Sequence, residues 1–164
     1  MSERRYNYLK QYLKKELPAN SNYFEPIMAQ EITDAELALG IKFPTQLIEF
    51  YSEIGYGFLI QPVDAPADYV FYGTNRLNAP SQIVEMLKNG SESGMISEDV
   101  LEDLEPGDLP FFEISDSSSF MIMKTQSDNP NAVWFMGVEK IEDSLEDFIH
   151  NLYYKGPRYY TEGW

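Results

Sequence analysis

Residues 32–57, ITDAELALGIKFPTQLIEFYSEIGYG, decide how the rest of the chain is read. They spell two short helices with a sharp break between them. Thr33 can cap the first, with Glu36 three residues later placed to reach back to the cap N–H as a capping box. Ile32 and Leu37 occupy the positions of a hydrophobic staple. Gly40 can take the left-handed conformation that ends a helix. Pro44 fits the first turn of the next helix, where a missing N–H costs nothing. Leu47, Phe50, Tyr51 and Ile54 then recur at helical spacing and share one face, and Gly55 closes the segment. Thr33, Glu36, Gly40, Pro44 and Gly55 are therefore scaffold residues, which build two helices at a fixed angle.

Upstream, residues 4–16 have the spacing of an amphipathic helix, with Leu9, Tyr12 and Leu13 on one side and Lys/Arg on the other. Pro18 and the polar run Asn20, Ser21, Asn22 break it. Downstream, residues 60–68 contain Pro62 and Pro66 and form a loop, and residues 69–72 (YVFY) have strand composition. Pro80 opens a helix with Ile83, Val84 and Leu87 inward, which Asn89 and Gly90 stop; residues 91–94 are small and polar and read as a mobile loop. Ser97 can cap an acidic turn with Val100, Leu101 and Leu104 toward the core. Pro106 and Gly107 end that turn. Residues 111–114, 120–123 and 132–136 are apolar runs with short polar connections, the pattern of an antiparallel meander. Asp143 or Ser144 caps a last helix that carries Leu145, Phe148, Ile149 and Leu152 on one face. The predicted fold is α+β, with helices packed on one face of a mostly antiparallel sheet.

The first pattern resembles the opening of the SUKH superfamily (Smi/Knr-like domain) in Ile32, Glu36, Leu39, Gly40, Phe43, Pro44, Leu47, Phe50, Tyr51 and Gly55. The family usually has Leu where Phe43 stands and often Asn where Ile54 stands. The hairpin strands, the Val133-Trp134 strand and the closing helix SLEDFIHNL extend the resemblance over roughly residues 30–153. It implies one SUKH-like domain, expected to span residues 1–164; residues 4–16 add a helix, and the aromatic tail 156–164 can pack on the domain or contact a partner, with packing favoured. It also implies a binding module, not a catalyst.

Composition narrows the options independently. A 43% hydrophobic and 15% aromatic chain of 164 residues can bury a core and is expected to fold as one domain. It contains no cysteine, so disulfides and thiolate metal sites are excluded. No run reaches the roughly 18 apolar residues of a membrane span, and the N-terminus lacks a signal-peptide core; a soluble, cytoplasmic protein is expected. The net charge of −15 repels phosphates, which argues against direct nucleic-acid binding and suits a basic partner. The window 89–123 has no basic residue but holds Glu92, Glu98, Asp99, Glu102, Asp103, Glu105, Asp108, Glu113 and Asp116. An asymmetry of this kind marks an interaction surface or a solvated face. Acids in a first helical turn also interact well with the helix dipole.

A search for chemistry is mostly negative. His150 is the single histidine, so paired imidazole ligands are impossible within the chain. There is no Gly-x-Ser-x-Gly elbow, phosphate-binding glycine loop or dinucleotide fingerprint. Asp116 lacks the alternating acids of a calcium loop and reads as a local side-chain turn. Paired acids occur by chance among 27 carboxylates. Tyr56 and Phe58 suit either the core or the rim of a cleft, with the core favoured.

No catalytic, cofactor or metal residue is therefore assigned. What the resemblance implies is an immunity protein (antitoxin) that neutralises a cognate bacterial polymorphic toxin, a nuclease among the candidates, by stoichiometric binding. The partner would be a basic protein, and Glu98, Asp99, Glu102, Asp103 and Glu105 are the candidate partner-binding residues. The alternative is a housekeeping regulatory or scaffold module of the same fold. A homo-oligomer is compatible with either.

Overall fold

The computed structural model describes residues 5–13 and 21–161, and the structural statements below concern those residues. The strands are β1 (Tyr23–Glu25), β2 (Tyr56–Phe58), β3 (Arg76–Leu77), β4 (Asp108–Ser115), β5 (Ser119–Lys124), β6 (Val133–Phe135) and β7 (Glu139–Glu142). The helices are α1 (Ala29–Leu39), α2 (Thr45–Glu53), α3 (Pro80–Asn89), α4 (Glu98–Asp103) and α5 (Leu145–Tyr154). All seven strands lie in one sheet in chain order. Each pairs antiparallel with its sequence neighbours, and the helices are inserted in the connections. This is the α+β architecture expected from the sequence.

The core forms where β4 and β5 meet α2 and α5. Phe111 and Phe112 are both fully buried, and both contact Phe148 of α5, with ring centroids 6.1 and 5.2 Å away. An irregularity in register between Pro110 and Phe112 accompanies this arrangement. A fully buried phenylalanine contributes on the order of 2–3 kcal/mol, so this triad is a principal tie between helix and sheet. Leu47, Phe50, Tyr51 and Ile54 are all buried as their spacing predicts. The Tyr51 hydroxyl donates to the Asn78 carbonyl at 2.7 Å, which links α2 to the end of β3.

The helix boundaries differ from the sequence reading in an instructive way. α1 starts at Ala29, so Thr33 lies inside it and caps nothing. Glu31 supplies the start instead, its carboxylate accepting from the Met28 N–H at 3.2 Å. Glu36 does not reach back; it reaches forward and accepts from the Phe43 N–H at 2.8 Å, which pins the break between the helices. Leu37 is 76% exposed, so the staple with Ile32 does not form. Gly40 does end α1 in the left-handed region (φ 68°). Pro44 takes an extended conformation (ψ 143°) one residue before α2, as its cap and not its first residue. Gly55 (φ 123°) has a further role: a Cβ there would lie 1.9 Å from the Glu25 carbonyl oxygen, so β1 approaches where only a glycine fits.

Other differences follow from chain context. The N-terminal segment is a 3₁₀ turn over Asn7–Tyr12 with Leu9 buried; the remainder of the expected helix 4–16 lies outside the described residues, apart from Arg5, Tyr6 and Leu13. Residues 69–72 form no strand, and the short strand comes at Arg76–Leu77. Residues 91–94 were expected as a loop, but a 3₁₀ turn spans Gly90–Ser93. The Asp116 turn is closed by the backbone, Ser118 N–H to Ser115 carbonyl at 3.0 Å, with Asp116 and Ser117 both at positive φ (46° and 59°). Ser144 is the cap of α5, its Oγ accepting from the Asp147 N–H at 3.1 Å. Tyr159 is half-buried and Tyr160 buried, so the tail packs as expected, while Trp164 lies outside the described residues. Among the described residues no helix is long and apolar enough to cross a membrane.

Candidate functional site

The acidic helix α4 is built by its cap. The Ser97 Oγ accepts from the Val100 N–H at 3.4 Å, and the Ser97 N–H donates to the Ser117 carbonyl at 2.8 Å. The first contact starts the helix; the second ties it to the β4–β5 turn. Val100 is buried, and Leu101 and Leu104 are half-buried. That orientation leaves Glu98, Asp99, Glu102, Asp103 and Glu105 exposed on one short stretch. Glu98 and Asp99 fall in the first turn, where the helix dipole stabilises them. Among the described residues no ion pair neutralises Glu98, Asp99, Glu102 or Asp103. Glu105 reaches only the Lys124 ammonium, at 3.9 Å.

The base-free window is not uniformly a surface. Asp108 is buried, and its Oδ2 accepts from the Lys124 ammonium at 3.0 Å and from the Glu105 N–H at 3.0 Å. Glu113 is buried and pairs with the Arg76 guanidinium at 2.6 Å. Both pairs are direct cross-strand partners in the ladder, Asp108 with Lys124 and Arg76 with Glu113. These two acids serve the sheet, and sequence adjacency hides it because their bases come from other strands. The exposed acids of this window are those of α4 with Glu105, and Glu92 and Asp116 nearby in the chain.

Beside α4 a shallow groove of about 480 Å³ separates it from the end of α3. Leu87 and Leu101 line it together with Glu92, Glu98, Glu102 and Lys88. The sequence assigns the two leucines to the core; their half-burial makes them the apolar part of the groove. Tyr56 and Phe58 depart from the favoured core reading. Tyr56 is half-buried and donates to the Glu25 carboxylate at 2.9 Å, and Phe58 is 36% exposed.

Among the described residues no cluster of three or more His, Asp or Glu side chains is placed to hold a metal ion. His150 is exposed and lies tilted against Tyr154, ring centroids 4.5 Å apart. The displaced protonation equilibria belong to tyrosines. Burial pushes Tyr6, Tyr8, Tyr51, Tyr153 and Tyr159 well above the ordinary tyrosine value, and Tyr160 up to about 12. Tyr159 is raised further by its hydrogen bond to Glu142. None of these phenols lies on α4.

Comparisons with known proteins identify the family. The SUKH_6 family model, described as SMI1-KNR4 cell-wall, matches residues 29–149, and the chain belongs to that family. The chain is also 27% identical over 132 residues to a Bacillus subtilis (strain 168) protein named "Immunity protein YxxD", a match that covers 80% of this chain and 83% of the relative. No solved structure gives a significant match.

Proposed function

We propose that this chain is an immunity-type protein that binds and neutralises a toxin by stoichiometric contact, without turnover. The observation that carries the reading is the similarity to an immunity protein over most of both chains. The exposed, unneutralised acids of α4 and the net charge of −15 support a basic partner, a nuclease with a cationic cleft among them. On this reading the chain acts in the cytoplasm as a single domain. Its acids raise the encounter rate, for which electrostatic steering is worth roughly 10- to 1,000-fold. Apolar contacts supply most of the affinity.

Co-expression with the toxin encoded beside this gene tests the role: growth is restored if the reading is right, and neither rescue nor co-purification is seen if it is wrong. Reversal of Glu98, Asp99, Glu102 and Asp103 to lysine tests the surface. Association with that toxin is expected to slow at least about 10-fold at low salt, with a flatter dependence on ionic strength. An unchanged rate and salt slope would remove α4 from the interface. The family's description as cell-wall supports a second reading, a regulatory or scaffold module. Partners unrelated to any toxin would favour it.

A further inference from the structure

We propose that the β2–β3 connection is an apolar anchor for a basic protein partner, with Val70 and Tyr72 at its tip. The inference rests on the binding role proposed above and names the part of the surface that supplies affinity.

Residues 59–75 contain no regular structure, which is long for a link between adjacent antiparallel strands. Connections beyond about 12–15 residues inside a domain are uncommon, and ordered ones tend to carry function. This one is held firmly at both ends by fully buried asparagines. The Asn22 Oδ1 accepts from the Ile60 N–H at 2.7 Å and the Gln61 N–H at 2.8 Å. The Asn75 amide donates to the Leu59 carbonyl at 3.1 Å and the Pro157 carbonyl at 3.0 Å. Soon after the chain leaves β2, the Val63 N–H donates to the Tyr153 carbonyl at 2.7 Å. The Arg158 guanidinium covers the Phe71 ring at 5.3 Å.

With the loop so fixed, its tip still faces solvent. Tyr72 is 92% exposed and Val70 51%, while Phe71 between them is half-buried. The alternation explains why YVFY has strand composition without pairing. A tyrosine on a preordered loop has the form of an interface hot spot, because little conformational freedom remains to be lost on binding.

Charge selects the occupant. Residues 59–75 contain no Lys or Arg, and Asp64 and Asp68 are exposed in the same loop, so its acids outnumber the Arg158 guanidinium that lies on Phe71. The loop returns to the sheet near the end of β4, where the Thr74 N–H donates to the Ile114 carbonyl at 2.9 Å. The turn that follows β4 holds the start of α4 through Ser97 and Ser117. The anchor and the acidic helix thus both attach at this end of β4, with exposed Asp116 in the turn beyond it. The complementary surface is a basic protein with an apolar recess. A second copy of this chain brings the same −15 and is disfavoured.

The test is calorimetric titration of the purified toxin encoded beside this gene with wild type, Tyr72→Ala and Leu37→Ala, the last an exposed apolar residue on α1. Tyr72→Ala should raise Kd at least about 30-fold, with Leu37→Ala within about twofold, and the melting temperatures should stay together because neither side chain is buried. Wild-type binding with Tyr72→Ala within about threefold of it overturns the anchor alone and leaves the functional reading standing. A wild-type chain that does not bind overturns that reading, and the anchor falls with it. Light scattering that shows a homodimer lost in Tyr72→Ala would also overturn it, because the loop would then be a self-contact.

Discussion

Replacement of Gly55 by alanine should damage this fold far more than the same change at Gly40, although both glycines bound helices of one motif. Gly40 has φ 68° and open space around its missing side chain, with nothing within 4 Å. Gly40→Ala therefore incurs only the left-handed backbone penalty of roughly 1–2 kcal/mol. Gly55 has φ 123°, and its Cβ would sit 1.9 Å from the Glu25 carbonyl oxygen, 2.7 Å from the Glu25 carbonyl carbon and 2.8 Å from the Pro26 Cα. All are backbone atoms and cannot rotate away. β1 would have to retreat by about 1 Å or more to restore an ordinary contact. The retreat disrupts the ladder that pairs Tyr23 with Phe58, Phe24 with Gly57 and Glu25 with Tyr56. It also loosens Phe24, which is fully buried and contacts Phe50 at 6.1 Å. Loss of a buried phenylalanine's packing costs about 3–5 kcal/mol, which bounds the effect. With about 2–4 °C per kcal/mol for a chain of this size, Gly40→Ala should melt a few degrees below wild type and Gly55→Ala roughly 6–20 °C below it. Thermal denaturation followed by circular dichroism reads both. Equal melting temperatures for the two variants would refute the claim that β1 lies against Gly55.

Further outcomes follow from other contacts. Glu36→Ala leaves the buried Phe43 N–H without its acceptor and should cost roughly 1–3 kcal/mol in urea denaturation, whereas Glu36→Gln keeps an acceptor oxygen and should recover part of that loss. The tyrosines predict alkaline instability. Their folded pKa values are raised above the ordinary 10.0, so their contribution is fully present below pH 10 and is lost as pH rises beyond it. Tyrosinate absorbance should accordingly show a group of buried tyrosines that ionises only above the ordinary tyrosine range, together with cooperative unfolding. A single transition of all tyrosines near pH 10, with no unfolding, would count against the packed tail and N-terminal turn.

The longer elements were legible in the sequence because periodicity alone specifies them. The α2 face of Leu47, Phe50, Tyr51 and Ile54, the Ser97 and Ser144 caps, and the β4–β5 hairpin all rest on contacts within a few residues. Strands β1, β2, β3 and β7 were not legible, since their two to four residues lack the apolar run that marks β6, and Asn22 and Asn75 fix the surroundings of the first three from a distance. Residues 69–72 misled for the opposite reason: their alternation reports one inward phenylalanine between two outward side chains. Thr33 and Glu36 matched a capping box by spacing, but Glu31 had already started the helix and Glu36 was engaged by Phe43. The acidic window was visible, yet its division into surface and structure was not, because Arg76 and Lys124 reach Glu113 and Asp108 only through strand pairing. The missed apolar tip at Val70 and Tyr72 had a signal in the absence of basic residues from 59 to 75, together with its paired prolines and aromatic run.

The central claim, neutralisation by stoichiometric contact, is tested most directly by titration of this chain into the toxin encoded beside it, with residual toxin activity as the readout. The account predicts a linear fall that reaches zero at a fixed stoichiometric ratio, insensitive to incubation time. Full inactivation by a small fraction of an equivalent, progressing with time, would contradict it and identify turnover; no inactivation at any ratio would refute the immunity role itself.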